Sequence, residues 1–155
     1  MEVFRITKKE YASALSGLGA KTFGGRWNSV GTSMVYTSSH ASLAALELAC
    51  HSGGVIGLRD FMLTCFWIEP KADMEELSLD TLTKDWEQYP SSFDSAKIGD
   101  QWVNSFRSLI LKVPSAIIQE ESNILINPLH PQLQKFIRVK WVKPFTFDPR
   151  LFIQQ

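Results

Sequence analysis

Residues 23–50, FGGRWNSVGTSMVYTSSHASLAALELAC, set the tightest limits on the fold: a Gly-Gly turn, a β-type run and a proline-free helix follow one another there without a linker. Gly24-Gly25 permits positive φ and close backbone approach just ahead of Arg26-Trp27-Asn28. Arg26 therefore falls at a turn-to-strand junction. Its planar fork can grip a phosphate or carboxylate bidentately, or close a salt bridge beside a core tryptophan. Met34-Val35-Tyr36-Thr37 is rich in β-branched and aromatic residues and follows a turn at Ser29 to Gly31, so a hairpin or bent strand is expected. Tyr36 then lies near the strand end, either stacking on a flat ligand or half-buried with its hydroxyl satisfied.

Ser38-Ser39-His40 supplies N-cap chemistry for a helix of about three turns over residues 41–51. Within it Leu43 precedes Glu47 by four residues and Cys50 follows by three, which places the carboxylate on an apolar face. An ionised carboxylate removed from water without a partner is costly or shifts its pKa. Glu47 thus has a cationic partner, faces a cleft, or lies on the exposed side of a modestly buried helix.

The remaining sequence reads as scaffold. A length of 155 residues suits one domain with its own core, and a net charge of zero with pI near 6.8 gives no electrostatic support for coating nucleic acid or a membrane surface. Residues 69–100 are mostly acidic in their charges and the segment from Arg107 onward is net basic, as an acidic surface excursion produces. Cys50 and Cys65 fit buried thiols in a reducing compartment, and no metal motif uses them. The opening MEVFRITKKEY has no apolar leader and no apolar run reaches membrane length, so a cytoplasmic protein is expected.

Val3 to Ile6 reads as a short strand in which Arg5 is either exposed or a second cation aimed into the cleft of Arg26. A weak helix is expected over residues 11–18, a buried strand over 55–68 after the Gly53-Gly54 break, and a polar helix or loop over 71–86. A turn at residues 89–92 precedes an amphipathic helix over 95–110, with Ile98, Trp102, Phe106 and Leu109 at helical spacing. Residues 109–118 form a strand with Pro114 inside it, which leaves Ser115 free to turn its hydroxyl toward a ligand or to serve structurally. A rigid turn at 127–131, a strand over 136–142 and an apolar tail over 145–152 able to dock complete the chain. This order points to α+β with a mixed or antiparallel sheet, not a doubly wound fold.

No phosphate loop, nucleophile elbow or metal-spaced cluster is present, and His40, His51 and His130 are scattered. What remains is arginine, tyrosine, one carboxylate and a serine. That set suits cleavage of a glycosidic bond through an oxocarbenium-like transition state, where a carboxylate can hold ribose hydroxyls and offset positive charge.

Arg5, Gly24-Gly25-Arg26-Trp27-Asn28, Val35-Tyr36-Thr37-Ser38, Leu43-Ala44-Ala45-Leu46-Glu47, Ile98-Gly99 with Trp102, Val113-Pro114-Ser115-Ala116, and Asn123 with Asn127-Pro128-Leu129-His130-Pro131 occur in one order. Together they resemble the RES-domain family of toxin–antitoxin toxins, from about Val3 to Arg138. The resemblance implies residues 1–155 as a single RES domain with an ADP-ribosyltransferase-like fold. It also implies degradation of NAD+ at the nicotinamide–ribose bond, with water or phosphate as acceptor, NAD+ being substrate and no cofactor or metal being needed. The implied partner is a cognate Xre-type antitoxin that covers the active site, without direct nucleic acid or membrane binding. Carried onto this chain, the family's catalytic residues resemble Arg26, Glu47 and Ser115, and its substrate-binding positions Arg5, Tyr36 and Asn127. Two rivals stay open: ADP-ribose transfer to a protein target, and a non-enzymatic module in which Arg26 and Glu47 form a structural ion pair.

Overall fold

The β-branched runs pair into one seven-stranded mixed sheet of order β4-β5-β6-β2-β1-β3-β7. The strands are β1 (Glu2–Lys8), β2 (Val35–Ser38), β3 (Phe61–Ile68), β4 (Met74–Glu76), β5 (Ile110–Pro114), β6 (Ser122–Ile126) and β7 (Ile137–Phe145). All pairings are antiparallel except β4 with β5. Among the described residues four α-helices accompany them: α1 (Leu18–Phe23), α2 (Ala41–His51), α3 (Phe93–Ser105) and α4 (Leu133–Phe136). The computed structural model describes residues 1–51, 60–89 and 93–152. The expected Gly53-Gly54 break, the first part of the 55–68 strand and most of the 89–92 turn lie outside the described residues.

Alternation along the central strands builds two cores, because successive side chains leave a strand on opposite faces. Ile110, Ile124 and Ile126 join Val3, Val35 and Phe66 in one apolar cluster. Their neighbours Leu111, Val113 and Leu125 join Trp27, Met34, Trp86 and Trp102 in the other. Helix α2 packs on β1 and β2, while α3 contributes Trp102 and Val103 to the second cluster. Helix α3 lies close against the Arg26 turn because residue 99 is glycine: a Cβ there would stand 1.7 Å from the Trp27 carbonyl oxygen.

Several sequence expectations are revised. The 11–18 helix does not form. The chain makes a 3-10 turn at Lys9–Tyr11, and the carbonyls of Tyr11, Ala12 and Ala14, which a helix would use internally, accept hydrogen bonds from Arg5. The 95–110 helix stops at Ser105, where Ser105 Oγ donates to the Trp102 carbonyl and Asn127 Nδ2 donates to the Val103 carbonyl. Phe106 then takes a left-handed φ of 52° and is exposed, while Leu109 is fully buried at the entry to β5.

Pro114 ends β5 opposite Ser122 and so does not interrupt the strand. The polar 71–86 stretch contains the edge strand β4 and a 3-10 turn at Leu79–Thr81. Of the apolar tail, Phe145 ends β7 opposite Phe61 and meets Phe147 edge to face, and a 3-10 turn follows at Pro149–Phe152 in which Leu151 is exposed. Of the two free cysteines, Cys65 is buried as expected but Cys50 is exposed.

Candidate active site

Glu47 lies on α2 with its side chain turned toward β6 and the loop after β5. Its Oε1 accepts a 2.6 Å hydrogen bond from Asn123 Nδ2 and a 3.3 Å bond from Ser115 Oγ. Neither donor is free to wander. Ser38 Oγ donates to Asn123 Oδ1 at 2.8 Å, which fixes the amide so that its NH2 faces the carboxylate. Ser115 is fully buried, and its Oγ accepts from the backbone N–H groups of Ile117 and Ile118, which leaves its proton for Glu47.

The backbone brings these elements together. β2 pairs with β6 so that Ser38 faces Asn123, the Ser39 N–H donates to the Ser122 carbonyl, and the Ser115 N–H donates to the Glu121 carbonyl. One carboxylate oxygen is thus held by two positioned donors. Among the described residues the other, Oε2, has no hydrogen-bond partner and remains available to a ligand hydroxyl.

Arg26 sits in the turn closed by the Gly25–Asn28 bridge. Asn28, itself buried, holds that turn by donating to the carbonyls of Ala20, Ser29 and Thr32. Tyr36 joins turn to sheet: its hydroxyl donates to Asn28 Oδ1 at 2.8 Å and accepts from the Trp27 N–H at 3.0 Å. Only glycine fits at residue 25, since a Cβ there would stand 2.6 Å from that hydroxyl.

Burial pushes the Tyr36 pKa well up. The phenol therefore stays protonated as a hinge of the site. Burial also lowers the Arg26 pKa, an effect opposed first by the charge of Glu47 and then by Glu87. Arg26 and Glu47 thus interact through space, but no ion pair forms between them among the described residues. Instead the guanidinium donates from Nη1 to the carbonyls of Trp86 and Gln88, and from Nη2 to that of Glu87 at 3.2 Å.

The structure gathers Glu47 and Ser115 in direct contact and sets Arg26 and Tyr36 beside them electrostatically. It separates Arg5 and Asn127 from this group. Phe4 pairs with Ser38 and Ser38 with Asn123, so these three share a sheet face and Arg5, one residue on, projects to the other. Its Nη2 donates to the carbonyls of Tyr11, Ala12 and Ala14, its guanidinium lies 5.0 Å from the Phe66 ring centre, and burial lowers its pKa to about 10. Asn127 is fully buried, donating to the Val103 carbonyl and accepting from the Leu129 N–H.

Sequence reasoning gave Ser38 a capping role and placed Asn123 only among the family-like motifs, and assigned neither to the site. A usable signal was the placement of asparagine, a poor strand former, one step before the β run Ile124-Leu125-Ile126. Among the described residues no group of three or more His, Cys, Asp or Glu side chains could hold a metal ion. Likewise no helix is long and apolar enough to cross a membrane.

Comparison with protein families matches residues 2–148 to the RES domain. The chain is 38% identical over 152 residues to "Toxin Res" of Photorhabdus laumondii, covering 97% of each. It is 41% identical over 142 residues to "Prs ADP-ribosylating toxin" of a Sphingobium species, covering 90% of this chain and 88% of that one. Among solved structures, the MbcT-MbcA toxin-antitoxin complex of M. tuberculosis contains a chain that superposes with a TM-score of 0.72 at 17% identity, covering 97% of this chain and 86% of that one. At that identity the likeness concerns the fold, the α+β ADP-ribosyltransferase-like architecture expected from the sequence.

Proposed function

This chain belongs to the RES-domain family, and from that premise we propose that it is the toxin of a toxin–antitoxin pair and consumes NAD+ by breaking the nicotinamide–ribose bond. The observation that carries this reading is the Glu47 carboxylate, with Oε1 held by Asn123 and Ser115 and Oε2 open. Its negative charge is placed to accept ribose hydroxyls and to stabilise the oxocarbenium character that develops as the bond stretches. Nicotinamide leaves as a neutral molecule from a cationic pyridinium, so the site needs no strong general acid. Water then adds to the ribosyl carbon and releases a proton, giving ADP-ribose; phosphate as acceptor gives ADP-ribose 1″-phosphate.

Arg26 supplies the positive charge for the pyrophosphate, and the ring of Tyr36 borders the nicotinamide end. NAD+ is substrate here, and no metal or further cofactor enters the scheme. The protein acts in the cytoplasm, and its partner is an Xre-type antitoxin that covers the open side of Glu47. The test is incubation of the purified chain with NAD+, with and without phosphate, following nicotinamide and the ribosyl product together. Free nicotinamide with ADP-ribose or its 1″-phosphate supports the reading; a folded protein that releases none overturns it. The 41% identity to an ADP-ribosylating toxin favours a second acceptor, a protein side chain. Labelled protein in place of free ADP-ribose, after incubation with labelled NAD+ and a lysate, would establish that alternative.

A further inference from the structure

We propose that Trp86 is a positioning residue for Arg26, holding the carbonyls of residues 86–88 as a cup that leaves the side edge of the guanidinium open to a phosphate. The inference rests on the NAD+ reading and adds to it the element that presents the cation. A guanidinium carries five N–H donors. Three bonds run to the cup, two from Nη1 and one from Nη2. Nε–H and one hydrogen of Nη2 have no partner among the described residues. These groups form the edge that grips two oxygens of one phosphate side-on.

The cup does not hold its own shape through regular structure. Trp86 N–H donates to the Thr83 carbonyl and Gln88 N–H to that of Asp85, two successive turns with no strand or helix behind them. Its anchor is the indole of Trp86, 5% exposed, whose ring centre lies 6.0 Å from that of Trp27. Because Trp27 directly follows Arg26, the ring pair ties both ends of the Arg26–carbonyl contact to the same core. On the surface side, Gln88 Nε2 donates to Asp85 Oδ1 at 3.1 Å.

Freeing one long side chain from such a cup costs about tenfold in binding. Trp86→Leu is therefore expected to raise the KM for NAD+ about tenfold with kcat within about twofold, and Trp86→Phe, which keeps a ring on Trp27, to restore KM. In an Arg26→Ala background Trp86→Leu adds nothing further, because its effect passes through the arginine. Asp85→Ala, at an exposed position, loosens the cup without touching the core and raises KM about threefold, which keeps the test open if Trp86→Leu fails to fold.

A fall in kcat at unchanged KM, or losses that multiply with Arg26→Ala, would assign Trp86 to core packing alone and overturn the proposal. Calorimetry with inorganic pyrophosphate separates this from failure of the NAD+ reading. If the wild-type chain releases no nicotinamide yet Trp86→Leu weakens pyrophosphate binding about tenfold, the cup stands and the reaction falls. Equal pyrophosphate binding by both proteins would overturn the cup.

Discussion

The regions around Arg5 and Arg26 solve the same problem in opposite senses. Each arginine donates to three backbone carbonyls of an irregular segment, residues 11–14 for Arg5 and 86–88 for Arg26. Around Arg5 the three carbonyls converge on Nη2, Nε is buried without a partner among the described residues, and an aromatic ring covers the guanidinium. The side edge of that fork is closed. Around Arg26 the carbonyls leave the same edge open, and the charge of Glu47 lies near enough to oppose the cost of burial. One arginine is a loop clamp and the other a clamped ligand-binding group. Hydrogen-bond number does not separate them; the edge of the fork left over does.

The largest expected effect tests the carboxylate beside Arg26. Glu47→Gln keeps the shape and the Asn123 and Ser115 donors but removes the charge. It should cut turnover by about 10²–10³ with KM changed only a few-fold and the thermal midpoint little moved, as for groups that act mainly in the transition state. Equal loss of turnover and binding, measured by nicotinamide release, would count against that role.

Next, Arg5→Ala should cost about 2–4 kcal/mol of stability by leaving carbonyls of the 11–14 loop unpaired, while the folded fraction keeps its kcat. Arg26→Ala should instead raise the KM for NAD+ by about 10–100-fold at a smaller stability cost, consistent with a lost charge-assisted phosphate contact. Denaturant melts and steady-state kinetics on both proteins would break the comparison if the two profiles coincide.

Tyr36→Phe, which strips the hinge of Asn28 Oδ1 and the Trp27 N–H, should cost about 1–3 kcal/mol. Its pH dependence sharpens the contrast. The folded pKa of Tyr36 lies above its ordinary 10.0, so its contribution is complete below pH 10 and declines as pH rises further. Arg5, lowered to about 10 from 12.5, acts in the other direction over the same range, since the fold disfavours its charged form. Comparing wild type with Tyr36→Phe cancels the arginine. Their stability difference should shrink above pH 10 by at most about 1.4 kcal/mol per pH unit.

The smallest effect concerns the thiols. Exposed Cys50 should react with a thiol reagent in the native protein, whereas Cys65, whose pKa burial raises, should react only on unfolding.

Much of this is legible in the sequence. Helix α2 occupies residues 41–51 as its composition requires, and β2 begins one residue into the Met34–Thr37 run, but Ser38 and Ser39, expected to cap the helix, turn their hydroxyls to Asn123 and His40. Glu47 stands out on an apolar helix face and Ser115 after a proline expected inside a strand, and the two meet in the fold. Where reading failed, the cause was a contact distant in sequence. Arg5 consumes the carbonyls that would have continued a helix beyond Tyr11, and Asn127 caps α3 from 24 residues away. Neither bond leaves a trace in local periodicity.

Local propensity and side-chain chemistry were thus enough to read helix α2, the longer strands and the chemistry-bearing set of arginine, tyrosine, glutamate and serine from the sequence, but not the segments at 11–18 and 71–86. Only the tertiary structure decided which donors hold Glu47, which arginine keeps an open edge and which is closed. Those outcomes depend on strand register, where a one-residue step sends Arg5 to the face opposite Asn123, and on carbonyls 60–62 residues from Arg26 that no short-range pattern can place.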